Sequence, residues 1–271
     1  MTDTELEQFR FQFKFRFHRL LHMQIDERDM HRLAAIYGVA PDLVEEETAA
    51  VEAHNAACAA KIAANTDLSP LQAVSARVLF LGDSITSDRT SYCGIIRKVL
   101  EPYEKLQVFD TSVPGNKVIE LYSYSYPETH EIHADIAHIM LGTNDILCTD
   151  QPPYLNRVHA EDFAEKLDYV VRCLTQDGTK VILTTIPVFS PKKAEVSLQG
   201  FRKQYREEDR VRYNQIIRDV AVRYGVVLND MEPVYAGFTR EALTWNDGYH
   251  MSPFCQSMLA EHVLQKILQL V

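Results

Sequence analysis

The sequence has little of what marks fibrous, disulfide-linked or membrane-spanning chains. Its 10 glycines and 11 prolines among 271 residues are too few for a collagen-like or low-complexity chain. Its five cysteines form an odd set without a Cys-x-x-Cys pair, which argues against a disulfide framework and against a zinc ribbon. No uncharged apolar run approaches the roughly 20 residues that a transmembrane helix needs. These absences leave a globular protein with reduced thiols.

The sequence also lacks an excess of basic residues. It has 28 lysines and arginines against 38 aspartates and glutamates, for a net charge of −10. A nucleic-acid-binding protein needs clustered basic side chains to displace counterions from phosphates, so nucleic acid is not expected as the main partner. Residues 1–7 are acidic and no apolar segment follows them, unlike a signal peptide. We therefore expect a cytoplasmic location, and the net charge argues against membrane binding.

The N-terminal region carries phenylalanine at alternate positions, namely Phe9, Phe11, Phe13, Phe15 and Phe17. Because polar and basic residues fill the positions between them, the pattern predicts a strand with all rings on one face. On a helix, Phe9, Phe13 and Phe17 would share one face while Phe11 and Phe15 pointed nearly opposite. An apolar face of this size needs a cover, which the chain itself, a second copy in a homo-oligomer or a membrane surface would supply.

From residue 27 to about residue 64 the pattern is helical, with a break between Gly38 and Pro41. Two helices joined by such a break predict a helical hairpin. Residues 1–75 are therefore predicted to form a mostly helical N-terminal extension, made of the phenylalanine-rich strand or helix and this hairpin. Residues 76–271 are predicted to form a second, larger domain.

Residues 76–271 alternate between short apolar runs and longer amphipathic stretches. The runs, which suit buried parallel strands, are residues 78–81, 106–109, 136–141, 181–186 and 226–228. The main amphipathic stretches are residues 160–176, 207–224 and 253–270. This alternation predicts an α/β fold, a doubly wound, flavodoxin-like parallel sheet of about five strands with helices on both faces. Such sheets bind ligands beyond the carboxyl ends of their strands.

Chemically useful groups follow these predicted strands. Ser84 follows the first run, and its hydroxyl needs a base to become a nucleophile. Gly115 follows the second run and, without a Cβ, offers a backbone N–H at close approach. Asn144 follows the third run, and its amide is a neutral donor suited to an oxyanion. Asp247 and His250 are three residues apart, so one turn can aim both at one point, with the carboxylate orienting the imidazole.

Together these segments resemble the SGNH hydrolases, also called the GDSL lipase and esterase family. The resemblance covers about residues 76–271 and rests on Gly82-Asp83-Ser84-Ile85, Gly115, Gly142-Thr143-Asn144-Asp145 and Asp247-Gly248-Tyr249-His250. It implies that Ser84 is the nucleophile, His250 the base and Asp247 the residue that orients the base. It also implies an oxyanion hole formed by the Ser84 N–H, the Gly115 N–H and the Asn144 side chain. No metal and no organic cofactor is implied.

The resemblance implies an ester hydrolase with a small-molecule ester as its substrate. The leading interpretation is a short-chain O-acyl esterase, with carbohydrate deacetylation as the first expectation. A lysophospholipase, a thioesterase or an acyltransferase would use the same residues, and a catalytically silent binding or scaffold module is the alternative of another class. No Gly-x-Ser-x-Gly string, the nucleophile motif of the α/β-hydrolases, occurs in the sequence. Asp83, Trp245 and Tyr249 flank the implied catalytic residues and are candidates for lining the pocket.

Overall fold

Strands and helices alternate from residue 76 onwards. The computed structural model describes residues 2–21 and 25–271 of the chain. Its strands are β1 Ala76–Gly82, β2 Leu106–Asp110, β3 Ile136–Met140, β4 Cys148–Thr149, β5 Lys180–Thr184, β6 Lys203–Gln204 and β7 Val227–Asn229. Its helices are α1 Asp3–Lys14, α2 Met30–Tyr37, α3 Pro41–Asn65, α4 Ser84–Ser87, α5 Tyr92–Leu100, α6 Val118–Glu120, α7 Tyr126–Thr129, α8 Ala160–Gln176, α9 Pro191–Leu198, α10 Glu207–Tyr224, α11 Glu232–Tyr235, α12 Arg240–Leu243 and α13 Pro253–Leu268. Within the described ranges, no helix combines the length and the apolar character needed to cross a membrane.

Five of the strands form one parallel sheet in the order β2–β1–β3–β5–β7, and β4 pairs with β6 in a separate antiparallel ribbon. Alternate residues of β1 face opposite sides, with Val78 and Phe80 in one core and Leu79 and Leu81 in the other. Side chains of α3, α5 and α13 fill the first core, and those of α8 and α10 fill the second. The predicted doubly wound, flavodoxin-like α/β fold is confirmed.

The strand order reverses between β1 and β3. β2 lies beside β1 on one side, whereas β5 and β7 follow β3 on the other. A doubly wound sheet opens a crevice at such a point, beyond the carboxyl ends of its strands. β1 and β3 are in register up to Gly82 and Met140, so the segments that follow these two strands leave the sheet side by side. These are the segments that carry Ser84 and Asn144.

The strand predicted for the phenylalanine-rich region is wrong. Residues Asp3–Lys14 form helix α1, and a 3₁₀ turn follows at Phe17–Leu21. A capping box begins α1, because the Thr2 side chain accepts from the Glu5 N–H and the Glu5 carboxylate accepts from the Thr2 N–H. Rings at alternate positions are compatible with a helix when two of its sides have partners, and that is the arrangement here.

Each side of α1 buries its rings against a different neighbour. Phe9 and Phe13 pack with residues of α2 and α3, whereas Phe11 and Phe15, the residue that caps the end of α1, contact Trp245 of the loop before α13. The helical N-terminal extension is thus confirmed, and this chain itself covers these rings. Residues 1 and 22–24 of that extension lie outside the described residues. Because α3 and α5 share a core, the domain boundary at residue 75 stays a prediction.

Candidate active site

Ser84 lies at the carboxyl end of β1, as the first residue of the short helix α4. Asp83 caps this helix by accepting a hydrogen bond from the Ile85 N–H at 2.9 Å. A Cβ atom at Gly82 would lie 2.9 Å from the Met140 carbonyl oxygen, so only glycine allows the two strands' ends to approach this closely. The local sequence therefore builds a tight turn that presents the Ser84 hydroxyl, which remains partly exposed, at the edge of the sheet.

Ser84, His250 and Asp247 form one hydrogen-bonded row. His250 Nε2 lies 2.7 Å from Ser84 Oγ, and His250 Nδ1 lies 2.6 Å from Asp247 Oδ2. Burial by itself would raise the pKa of Asp247, but the hydrogen bond and the charge of His250 outweigh it and hold that pKa below its usual value. Asp247 is therefore ionised at neutral pH and accepts a hydrogen bond from the imidazole N–H.

The loop that carries this pair is held by its own backbone. Asp247 Oδ1 accepts from the N–H groups of Tyr249 and His250 at 3.1 and 3.0 Å, and the Trp245 N–H donates to the His250 carbonyl at 2.8 Å. Ser252 then caps α13. Both Asp247 oxygens are thus engaged, so the carboxylate and the imidazole have little freedom to rotate.

Gly115 and Asn144 lie in the turns that follow β2 and β3. Gly115 has a φ of 78°, in the left-handed region that favours glycine. Asn144 Nδ2 donates to the Asn116 carbonyl at 3.1 Å and faces Asp83 Oδ2 at 3.4 Å. The Asn144 amide therefore links the turns after β1, β2 and β3. Its two partners are Asp83, the residue before Ser84, and Asn116, the residue after Gly115.

Two buried carboxyl groups lie beneath these turns. Asp83 is 1% exposed and its carboxyl supports the Ser84 turn from inside, so its place among the pocket-lining residues stays a prediction. Burial raises the pKa of Asp83 to about 6. Burial, with a smaller contribution from the Asp83 charge, raises the pKa of Asp145 to about 7. Asp145 Oδ1 accepts from the Val118 N–H at 2.9 Å, which fixes the start of α6.

The raised pKa of Asp145 predicts a loss of stability with rising pH. In the unfolded chain the carboxyl loses its proton near pH 4, whereas the folded protein keeps it up to about pH 7. Stability therefore falls between these values, and Asp145→Asn removes this contribution. We expect the decrease in unfolding free energy from pH 5 to pH 8 to be smaller in Asp145→Asn by on the order of 2 kcal/mol. Urea unfolding at the two pH values measures this decrease. An equal decrease in Asp145→Asn and in the unmodified protein would contradict the raised pKa of Asp145.

The control for this measurement is Asp162→Asn, which changes an exposed carboxylate on α8. We expect it to show the same decrease from pH 5 to pH 8 as the unmodified protein.

Aromatic side chains surround the His250 imidazole. The half-buried Tyr249 ring lies 4.8 Å from it between centroids, and the half-buried Trp245 stacks on Phe11 at 6.1 Å. The contact that sequence reasoning missed is Phe15, whose ring stacks on the imidazole at 4.0 Å with an interplanar angle of 25°. The alternating phenylalanines mark the segment, but nothing in them identifies the partner of any one ring.

The buried histidine of β3 belongs to the core and not to this site. His138 Nδ1 lies 3.1 Å from the Tyr92 hydroxyl, and its Nε2 lies 2.7 Å from the Thr184 hydroxyl. Burial lowers the pKa of His138 to about 3, so the ring is neutral. In the part of the chain that the structure describes, no three His, Cys, Asp or Glu side chains are grouped to hold a metal ion.

Comparisons with known proteins agree with this fold. An acetyl xylan esterase aligns with a TM-score of 0.58 and 19% identity, over 70% of this chain and 99% of its own. The lipase/acylhydrolase from Enterococcus faecalis aligns with a TM-score of 0.57 and 16% identity, over 72% and 96%. A catalytic mutant of an acetylxylan esterase from Geobacillus stearothermophilus aligns with a TM-score of 0.56 and 19% identity, over 72% and 96%. At these identities the likeness shows the fold.

At the level of sequence, no curated protein matches the chain. The profile of the GDSL-like Lipase/Acylhydrolase family matches residues 80–254, which is more than half of the chain and includes Ser84, Asn144, Asp247 and His250. The protein therefore belongs to the GDSL-like lipase/acylhydrolase family of ester hydrolases, whose fold it shares with these esterases.

Proposed function

We propose that the protein is a serine esterase that removes short O-acyl groups, acetyl first, through an acyl-enzyme on Ser84. The observation that carries the proposal is the row of hydrogen bonds from Ser84 Oγ through His250 to Asp247, at 2.7 and 2.6 Å. A serine hydroxyl becomes a nucleophile when an oriented imidazole can take its proton. The substrate class proposed is a small-molecule carboxylic ester.

Asp247 determines which imidazole nitrogen acts as the base. Its carboxylate accepts a hydrogen bond from the Nδ1–H, which favours the tautomer with an unprotonated Nε2 facing Ser84 Oγ. As Oγ bonds to the ester carbonyl carbon, His250 Nε2 takes the hydroxyl proton. The tetrahedral intermediate then collapses, the bond to the alcohol oxygen breaks, and His250 returns the proton to that oxygen. Water repeats both steps on the acyl-enzyme and releases the carboxylic acid.

The proposed oxyanion hole consists of the N–H groups of Ser84 and Gly115 and the Asn144 amide. In the free protein the amide already donates to the Asn116 carbonyl at 3.1 Å, and its other hydrogen faces Asp83 at the longer distance of 3.4 Å. A developing oxyanion is a stronger acceptor than this weakly bonded carboxyl oxygen. We propose that the amide exchanges the Asp83 contact for the oxyanion and keeps its contact with Asn116.

Asn144→Ala removes this donor and leaves the hydrogen bonds of Ser84, His250 and Asp247 in place. We expect kcat for p-nitrophenyl acetate to fall by about 10²- to 10³-fold, the usual cost of one oxyanion donor, while KM changes little. Steady-state kinetics measure both constants. Asn156→Ala is a matched control, because its amide donates to the Ile146 carbonyl further along the loop. A fall of less than threefold in Asn144→Ala would remove the amide from the proposed oxyanion hole.

Two observations support the proposed removal of acetyl groups from a carbohydrate. Two of the structural neighbours described above are named acetyl xylan esterases, one of them from Geobacillus stearothermophilus. Each is 19% identical to this chain. The half-buried aromatic residues Trp245 and Tyr249 also lie beside His250, and aromatic side chains suit the apolar faces of a sugar.

The test is the turnover of p-nitrophenyl acetate, butyrate and octanoate, together with release of acetate from acetylated xylo-oligosaccharides. A rate that decreases from acetate to octanoate supports the proposal. A rate that increases with chain length would replace it with a lysophospholipase or thioesterase, and ester formation with an added alcohol would replace it with an acyltransferase. No turnover and no reaction of Ser84 with a fluorophosphonate would indicate a silent binding module.

A further inference from the structure

Residues 13–19, which leave α1 and enter the following turn, bind the loop that follows the Ser84 helix. The Arg89 N–H donates to the Lys14 carbonyl at 2.9 Å, and Arg89 Nε donates to the Phe13 carbonyl at 3.0 Å. The Ser87 hydroxyl donates to the Phe15 carbonyl at 3.2 Å. Three successive carbonyls of segment 13–19 are therefore fixed to the end of α4 and the loop that follows it, and the contacts of Phe13 and Phe15 are buried.

The same segment also binds the loop that leads to Gly115. The Arg16 guanidinium donates to Asp110 at 2.6 Å, and the Arg19 guanidinium donates to the Ser112 carbonyl at 2.9 Å. Asp110 is the last residue of β2, and its side chain is 1% exposed. Arg16 has a φ of 53°, a strained conformation for a residue with a side chain, which persists only where surrounding contacts hold it.

The third contact of the segment is with His250 itself. The Phe15 ring is fully buried and stacks on the imidazole at 4.0 Å, and it forms a T-shaped pair with the Trp245 ring at 5.8 Å. Segment 13–19 therefore touches the three loops that carry Ser84, Gly115 and His250. The family profile begins at residue 80, so this segment lies outside the part of the chain that the family shares.

We propose that Phe15 is a positioning residue for His250, and that segment 13–19 is part of the active site. The proposal rests on the serine esterase function proposed above. Hydrogen bonds to Asp247 and Ser84 hold the two nitrogens of the imidazole, and Phe15 covers one of its faces. Together these contacts prevent the ring from tilting out of the plane in which Nε2 faces Ser84 Oγ. The electron-rich face of Phe15 also attracts the imidazolium that forms when His250 takes the serine proton.

The proposal separates two functions that a buried phenylalanine can have. If Phe15 only fills volume, a leucine or methionine there lowers the melting temperature and leaves the chemistry of the folded protein unchanged. If Phe15 holds the imidazole plane, the same substitutions lower kcat in protein that is fully folded. Misplacement of a catalytic group by about 1 Å costs about 10²-fold in rate.

The experiment compares Phe15→Leu and Phe15→Met with Phe9→Leu. Phe9 is also buried and is also one of the alternating phenylalanines of residues 9–17, but its ring contacts Phe13 and Tyr37, away from His250. Each variant is assayed below its own melting temperature for kcat and KM with p-nitrophenyl acetate and for the rate at which a fluorophosphonate labels Ser84. In both Phe15 variants we expect kcat and the labelling rate to fall by about 10- to 100-fold, with KM within about threefold. In Phe9→Leu we expect both rates to stay within about twofold.

Two results would overturn the proposal. One is kcat in the Phe15 variants within about threefold of the unmodified protein. The other is an equal fall in Phe9→Leu, because this would indicate general loosening of the extension. Phe15→Met carries the test if Phe15→Leu does not fold, since methionine adapts to irregular cavities. An unmodified protein that neither turns over the ester nor reacts with the fluorophosphonate would instead refute the serine esterase function.

Discussion

Ser84→Ala is expected to reduce kcat for p-nitrophenyl acetate by about 10⁴- to 10⁶-fold, which leaves no turnover above background. The proposed reaction begins with a bond from Ser84 Oγ to the carbonyl carbon, and alanine has no atom that can form it. The substitution also removes the hydroxyl group that lies 2.7 Å from His250 Nε2. Losses of this size are typical where one group carries the covalent step.

The measurement combines steady-state kinetics with the mass of the intact protein after treatment with a fluorophosphonate. The unmodified protein is expected to gain one phosphonyl group, and Ser84→Ala none. Ser123→Ala is the control, because Ser123 is an exposed serine outside the site and its loss leaves labelling unchanged. Turnover retained in purified Ser84→Ala would show that another residue attacks the ester.

His250→Ala is expected to cause a loss similar to that of Ser84→Ala, about 10⁴- to 10⁶-fold in kcat, because nothing else then accepts the serine proton. Asp247→Asn is expected to cost less, about 10³- to 10⁴-fold. The smaller effect follows from the backbone of the loop, which keeps Tyr249 and His250 in place by hydrogen bonds to the remaining side-chain oxygen.

Added imidazole makes this prediction specific. In His250→Ala, free imidazole can act as the missing base, so turnover is expected to rise with imidazole concentration. In Ser84→Ala the same concentrations are expected to have no effect. His262→Ala, on α13, is the control for loss of a histidine. Equal losses in Asp247→Asn and His250→Ala would contradict the order of effects.

Much of the fold of residues 76–271 could be predicted because its elements are long and periodic. α8 and α10 have the bounds 160–176 and 207–224 that the amphipathic pattern predicts, and each strand of the five-stranded sheet overlaps a predicted apolar run. The spacing of Asp247 and His250 also predicted that their side chains meet, since residues three apart in a tight loop face the same point. In these places the local sequence is enough to predict the structure.

Tertiary contacts decided what the sequence left ambiguous. The rings from Phe9 to Phe17 fit a strand with one buried face or a helix with two, and the choice depends on which neighbours exist. The chain provides both, the α2–α3 hairpin on one side and Trp245 on the other, so the helix forms. The position of Asp83 beside Ser84 does not indicate that its carboxyl turns inward to cap α4.

The contact between Phe15 and His250 has a consequence for how the protein is made. Domains begin to fold while the ribosome is still adding residues, so segment 13–19 emerges long before the loop that carries His250. Its hydrogen bonds to the loop after α4 can form early, but the stacked pair forms only after residue 250 has been added and α13 has docked. In the mechanism proposed above, a nascent chain therefore holds Ser84 without its base, and we expect no ester cleavage until residue 250 has been added and α13 has docked.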